Sequence, residues 1–388
     1  MSELPVGRVV VTANEAAAFA VVLARAQAIP VYPITPQTLI VEKLAELVAG
    51  REDIEYANLE SEHSMFGYAI AAARAGVRTF TATSSQGLLY AHEQLHRASR
   101  ERTPLVVVNI NRSVLAPWSL EPDLTDSLSQ RDTGWVQLYC TSVQEMLDSI
   151  LCAYRIAERV MLPVLVNAEG FLLSHTSEVL DVPSQEQVDA FIPPYAMPDE
   201  WLVEPGKART LSLLPSPDDY AEFQRHVAAA MDDARGVIAE VANEFTAHFG
   251  REKAASLDVA GNRAASAALV TMGTIGDTAH ELLAEDGDLL LLRVHAYRPF
   301  PMEELSELLA PVSYVTIVDR AAAFGELGPL GLDVRGLDLR HVQAATDFIA
   351  GVGGAEVTPQ TLRWALSHTR STAEHGVQLA PVWVPEGV

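Results

Sequence analysis

The sequence predicts an α/β protein with a mostly parallel sheet followed by a second α/β unit, and three observations carry that prediction. Short β-branched runs alternate with longer helical patterns from the N-terminus to about residue 180. Crossovers between parallel strands require that spacing. The alternation breaks over Asp181–Leu214, a stretch rich in Pro, Ser and acids, and resumes near Ala264. At 388 residues the chain is long enough for two or three domains and a large core.

Arg8–Val11 reads as a strand, and Thr12-Ala13-Asn14-Glu15 opens an alanine-rich helix with capping-box spacing. Val31-Tyr32 ends a second strand, and Pro36–Val48 follows as a helix with proline at its start. Asp53–Ala57, Thr79–Thr83, Leu105–Ile110 and Val164–Asn167 are further strands; Glu62–Arg74, Gly87–Ser99 and Val143–Arg159 are the helices between them. Ser216–Phe249 keeps apolar residues at helical spacing. In the second series Ala268–Met272, Leu289–Val294 and Tyr314–Val318 read as strands, with helices from Asp277 and over Met302–Leu309. Trp383–Val388 reads as an arm or tail. The expected division is 1–255, closed by a helical connection over about 181–255, followed by 256–388.

Composition narrows the function. With 27 basic against 51 acidic residues the net charge is −24, which argues against nucleic acid as the main partner. The excess acid serves solubility or a docking face. Apolar runs such as Ala264–Met272 are too short to cross a bilayer, and no charged-then-apolar leader opens the chain, so cytoplasmic residence is expected. Cys140 and Cys152 are expected to be free thiols. Two thiols cannot supply the four ligands of a four-iron cluster, so an electron relay would need another polypeptide.

Ligands of open parallel sheets collect beyond the carboxyl ends of the strands. Thr35, Glu62, Ser84-Ser85-Gln86-Gly87 and Arg112 follow four successive strands there. Each has a plain structural alternative. Thr35 could cap its helix, Glu62 could be a first-turn acid, Ser84–Gly87 an ordinary turn, and Arg112 could pair with Asp126 or Asp132. Four clusters on one edge nevertheless favour a site.

At these residues the chain resembles the pyruvate:ferredoxin oxidoreductases and their relatives. The motifs are Tyr32-Pro33-Ile34-Thr35-Pro36, Glu60-Ser61-Glu62-His63-Ser64, Thr81–Leu88, Asp126–Trp135, Pro163–Asn167 and Gly170–His175. Met272-Gly273-Thr274, Arg298-Pro299-Phe300-Pro301 and Val318-Asp319-Arg320 resemble the family's transketolase-C-terminal-like domain more weakly, and Asp181–Leu257 departs most from its pyruvate-specific members. The resemblance implies a pyrimidine-binding-type domain for thiamine diphosphate. Glu62 matches the acid beside the aminopyrimidine, rather than Glu60; Thr35 and Arg112 match the residues that contact the 2-oxoacid; Pro33, Ile34, Ser85 and Gln86 line the cofactor. It implies a 2-oxoacid oxidised and decarboxylated to an acyl-CoA, with coenzyme A as cosubstrate. The Gly-Asp-Gly signature that holds Mg²⁺ and the diphosphate is missing, since Asp286-Gly287-Asp288 has the wrong order. No metal site is therefore expected on this chain. A beta subunit would supply Mg²⁺, the diphosphate site and a 4Fe–4S cluster; a gamma subunit, optionally a ferredoxin-like delta subunit, and ferredoxin complete the expected partners. A non-oxidative, transketolase-like carbon transferase and a non-catalytic scaffold subunit are the alternatives.

His92-Glu93-Gln94-Leu95-His96 also matches the H-E-x-x-H pattern of zinc proteases. Its place in a parallel α/β alternation, without a convincing third ligand, makes packing or interface histidines the expectation.

Overall fold

The computed structural model describes residues 4–203, 205–206, 213–373, 376–378, 380–385 and 387–388. The first eight strands are β1 (Gly7–Thr12), β2 (Ala28–Val31), β3 (Glu55–Asn58), β4 (Phe80–Thr83), β5 (Val106–Asn111), β6 (Val136–Tyr139), β7 (Val164–Glu169) and β8 (Ser177–Val182). The remainder are β9 (Leu257–Gly261), β10 (Ala267–Met272), β11 (Leu289–Val294), β12 (Ala296–Arg298), β13 (Tyr314–Asp319), β14 (Ala344–Ile349) and β15 (Val382–Trp383).

β2 pairs with β3, and a parallel bridge between Ala28 and Thr79 joins this pair to the sheet β4-β5-β7-β6. These pairings are all parallel. Both faces are covered, which is why β5 and β7 are buried along their whole length. On one face Ala13–Leu23 packs against Thr38–Val48 and Val143–Val160. Its alanines let neighbouring backbones approach closely, and Glu15 is its one unburied residue. The expected capping box forms: Thr12 Oγ1 accepts from the Glu15 amide, and the Glu15 carboxylate accepts from the Thr12 amide. Met65, Phe66 and Ile70 from Glu62–Arg74 cover the other face with Trp135.

The second sheet runs β15-β14-β13-β10-β11-β9, parallel except for the antiparallel edge strand β9. The two sheets are bolted together. β12 leaves the second series to pair antiparallel with β6 of the first. Arg293 on β11 donates to Glu145 and to Asp258 at 3.1 Å each. Lys253 Nζ lies 2.9 Å from Ser149 Oγ and 3.0 Å from His295 Nε2. Burial opposes charge on Glu145, yet Arg293, His295 and Lys253 hold its carboxyl well below the usual range. Burial and Lys253 push the His295 imidazole down to about 3.

Several expectations need correction. The helix expected over Gly87–Ser99 is two helices, Ser85–Tyr90 and His92–Arg100, meeting at Ala91. The connection after Asp181 contains the end of β8 and the helix Gln185–Phe191, although 204 and 207–212 within it lie outside the described residues. Trp383 belongs to an edge strand rather than a tail, and Val388 O accepts from Thr361 Oγ1. β6 and β14 escape a pattern reading because each carries a buried polar residue, Gln137 and Asp347, inside a short apolar run. Cys140 and Cys152 are free thiols, and both are buried, which pushes them up to about 12. Among the described residues no helix is long and apolar enough to cross a membrane.

Candidate active site

The sheet order β3-β2-β4-β5 brings the four strand ends expected to carry the site side by side. After β2 the chain turns through Pro33-Ile34-Thr35-Pro36, with Pro33 and Thr35 exposed and the Thr35–Pro36 peptide cis. Gln37 fixes this turn: its side-chain amide donates to Ala82 O, and its backbone amide to Ile34 O. Thr35 does not cap the following helix, which begins at Thr38 behind Gln37. Its carbonyl oxygen instead accepts from Arg112 Nη1 at 2.6 Å.

Ser61 caps the helix after β3, accepting from the Ser64 amide at 3.2 Å. Glu62 is therefore the first residue of that helix, and it is buried. Burial pushes its carboxyl up, against the pull of the Arg112 charge. Glu60, two residues away, is exposed; its carboxylate accepts from Ser64 Oγ, which lowers its pKa. The two acids have opposite environments: burial pushes the Glu62 pKa up, while the Ser64 hydroxyl pulls that of Glu60 down. Gly87 makes the space: a Cβ there would lie 2.6 Å from Glu62 Oε1 and 2.4 Å from Thr83 Oγ1.

Ser84–Gly87 is not an ordinary turn. Ser85 has φ of +47°, a left-handed conformation unfavourable for a non-glycine residue. Asp126 holds it there by accepting the Ser85 amide at 2.9 Å, while Ser85 Oγ donates to Ser113 O at 2.8 Å. Gln86 Oε1 accepts from Arg112 Nη2. The Arg112 guanidinium is thus shared between Thr35 and Gln86 and does not hydrogen-bond Asp126 or Asp132. Asp126 takes the Arg112 backbone amide instead, at 3.2 Å, and Asp132 is an exposed neighbour of Arg131.

Asp126 is the residue that sequence reasoning undervalued. It is wholly buried and accepts from Ser85, Asn109, Asn111, Arg112 and Ser127. Two asparagines two apart on an otherwise apolar strand face the same side, and buried amides need a common partner. That was the available signal. Burial pushes the Asp126 carboxyl up to about 6. Because the folded chain holds this proton more tightly than the unfolded chain, Asp126 lowers stability as pH rises from about 4 through about 6. Asp126→Asn should flatten that portion of the Tm–pH curve. It should also cost about 1–3 kcal/mol, since one amide oxygen cannot accept every donor. Thermal melts between pH 4 and 7 check both; an unchanged slope would place the titration elsewhere.

Other motifs resolve into structure. His92 Nδ1 lies 2.6 Å from Gln130 Oε1, and its ring meets that of His96 edge-to-face. Among the described residues no group of three or more His, Cys, Asp or Glu side chains is arranged to hold a metal. Asp288 of Asp286-Gly287-Asp288 accepts from Ser266, and Asp286 pairs with Arg370 at 3.1 Å. The second-series motifs clamp the sheets: Thr274 and Arg320 both reach Glu169 at the end of β7, and Gly273 leaves room for it.

The chain is similar to known proteins along most of its length. Residues 19–243 match the family model described as pyruvate flavodoxin/ferredoxin oxidoreductase, thiamine diphosphate-binding. Residues 265–362 match that of pyruvate:ferredoxin oxidoreductase core domain II. The first match continues well past Asp181, through much of the stretch where the sequence resemblance was weakest. The ketoisovalerate oxidoreductase subunit VorA of Pyrococcus horikoshii is 40% identical over 95% of each chain. The pyruvate synthase subunit PorA of Methanothermobacter thermautotrophicus is 40% identical over 93% of this chain and 95% of its own. A 2-oxoglutarate:ferredoxin oxidoreductase from Magnetococcus marinus, solved with 2-oxoglutarate, coenzyme A and succinyl-CoA bound, superposes with a TM-score of 0.72. It is 18% identical, and this chain spans 66% of that chain's length, so it speaks for the fold. With a thiamine diphosphate-binding match over more than half its length and relatives aligned nearly end to end, the chain belongs to the pyruvate flavodoxin/ferredoxin oxidoreductase family.

Proposed function

We propose that this chain is the alpha subunit of a multi-subunit 2-oxoacid:ferredoxin oxidoreductase and contributes the aminopyrimidine and 2-oxoacid half of its active site. The carrying observation is the buried Glu62 carboxyl, its pKa pushed up by burial, on the same strand edge as an arginine held by Thr35 and Gln86. The overall reaction converts a 2-oxoacid and coenzyme A to an acyl-CoA and CO2, passing two electrons singly to iron–sulfur clusters. On this reading the chain divides near residue 255, with the first part carrying the site and 256–388 backing it.

The residues present fit one half of thiamine diphosphate. Thr83 Oγ1, Ser84 Oγ and Arg112 Nε are buried without a hydrogen-bond partner, at the ends of neighbouring strands. Orphaned polar atoms clustered this way suit a polar ligand. Pro33, Ile34, Ser85 and Gln86 would line the ring, and Glu62 would face its nitrogen. Thiamine diphosphate, when bound, supplies the nucleophilic carbon and accepts the electron pair released with CO2. Glu62 keeps a proton available for exchange with the pyrimidine. Arg112 offers a planar fork to the oxoacid carboxylate, and the Thr35 carbonyl fixes its orientation.

A beta subunit would hold the diphosphate, Mg²⁺ and a 4Fe–4S cluster, with a gamma subunit and a ferredoxin-like delta subunit or ferredoxin carrying electrons onward. The chain copurified with its partner subunits is expected to reduce viologen only when a 2-oxoacid and coenzyme A are both present. Iron should travel with the partners rather than with this chain. Iron-free carbon transfer between sugars would favour a transketolase-like enzyme, and an inert complex would favour a scaffold.

A further inference from the structure

Beyond Arg112 the chain forms a closed loop whose tip, Val114-Leu115-Ala116-Pro117-Trp118-Ser119-Leu120, bears no charge. Its base is pinned. Ser113 donates to Glu121 O through both its amide, at 3.0 Å, and its hydroxyl, at 2.8 Å. Pro122 O accepts from the Gly354 amide, and the Leu124 amide donates to Arg320 O, so the second sheet also holds the loop. The tip is therefore presented on a fixed base. It exposes Leu115, Trp118 and Leu120, with Trp118 71% exposed. Exposed apolar side chains grouped on one short loop are a candidate recognition surface.

Trp118 is tied to the candidate site. Its ring lies 5.5 Å from the centre of the Arg112 guanidinium, within cation–π range. Two guanidinium nitrogens are engaged by Thr35 and Gln86, and Nε has no partner. A carboxylate meeting this guanidinium would carry its substituent alongside the indole and the aliphatic tip. We infer that Trp118 is a specificity-determining residue: the 114–120 tip forms the wall for the 2-oxoacid substituent and favours monocarboxylic acids with bulky apolar groups. A second carboxylate would lose water against a surface with no cation of its own, and a methyl group would leave most of the wall unused.

This inference rests on the proposed reaction, and its test separates the two. The full complex is assayed with pyruvate, 3-methyl-2-oxobutanoate and 2-oxoglutarate, before and after Trp118→Ala. The wild type should prefer the branched acid and use 2-oxoglutarate least. Trp118→Ala should raise KM for the branched acid by about tenfold while changing that for pyruvate by about twofold or less. Trp118→Phe should retain most of the preference. A wild type that prefers pyruvate or 2-oxoglutarate, or an alanine variant that shifts every KM equally, overturns the inference and leaves the reaction standing. Failure of the alanine variant to copurify with its partners also overturns it, making the tip a subunit contact. Absence of 2-oxoacid turnover in the wild type overturns the functional reading, and this inference with it.

Discussion

Glu62→Gln is expected to lower kcat by roughly 10²–10⁴-fold, the range for removing a positioned acid–base group, while the complex assembles normally. The amide nearly matches the carboxyl in volume, so the close fit against Gly87 is preserved. What is lost is the exchangeable proton. Burial already raises the Glu62 pKa, and the Arg112 charge keeps the rise in check. A carboxyl can exchange a proton with the pyrimidine, which an amide cannot. The conservative Glu60→Gln supplies the control, because that side chain is exposed and accepts from Ser64. Steady-state kinetics with size-exclusion profiles of both variants make the measurement. Full activity in the Glu62 variant would remove it from the mechanism.

Arg112→Ala is expected to raise the 2-oxoacid KM by roughly a hundredfold, since truncating one member of a buried charge pair costs about 2–5 kcal/mol. The KM for coenzyme A should change little. Arg112→Lys should recover only part of the loss. A point charge cannot reach the Thr35 carbonyl, Gln86 and a substrate carboxylate with the geometry of a planar fork. Equal increases in both KM values would mean that the arginine braces the strand ends without touching substrate. The Asp126 amide contact to Arg112 makes that alternative concrete, because the same carboxylate supports both Arg112 and Ser85.

Position along the chain was readable wherever one element's local pattern decides it. Glu62–Arg74 begins and ends where its amphipathic period says it should, and Ser61 caps it. Thr12 and Glu15 announced a capping box that forms. Alternation of strand and helix was enough to place Thr35, Glu62, Ser85 and Arg112 at strand ends. Legibility failed where a buried polar group interrupts a pattern. Asp347 disguised β14; it accepts the Gly328 amide at 2.6 Å, and a Cβ at Gly331 would strike its carboxylate. The helix between Gly87 and Ser99 was read as continuous because no proline or glycine marks the break at Ala91.

By itself the sequence determined the class of fold, the order of its elements, the four strand ends that carry the candidate site, and the family. These follow from side-chain period and short motifs, which are properties of neighbours along the chain. The tertiary structure decided that Asp126 would hold Ser85 and Arg112, that Glu62 rather than Glu60 would lose water, and that β12 would cross into the first sheet. It also decided that Trp118 would lie over Arg112. Each depends on desolvation and hydrogen bonding between groups brought together only by sheet order, and such contacts leave no period in the sequence.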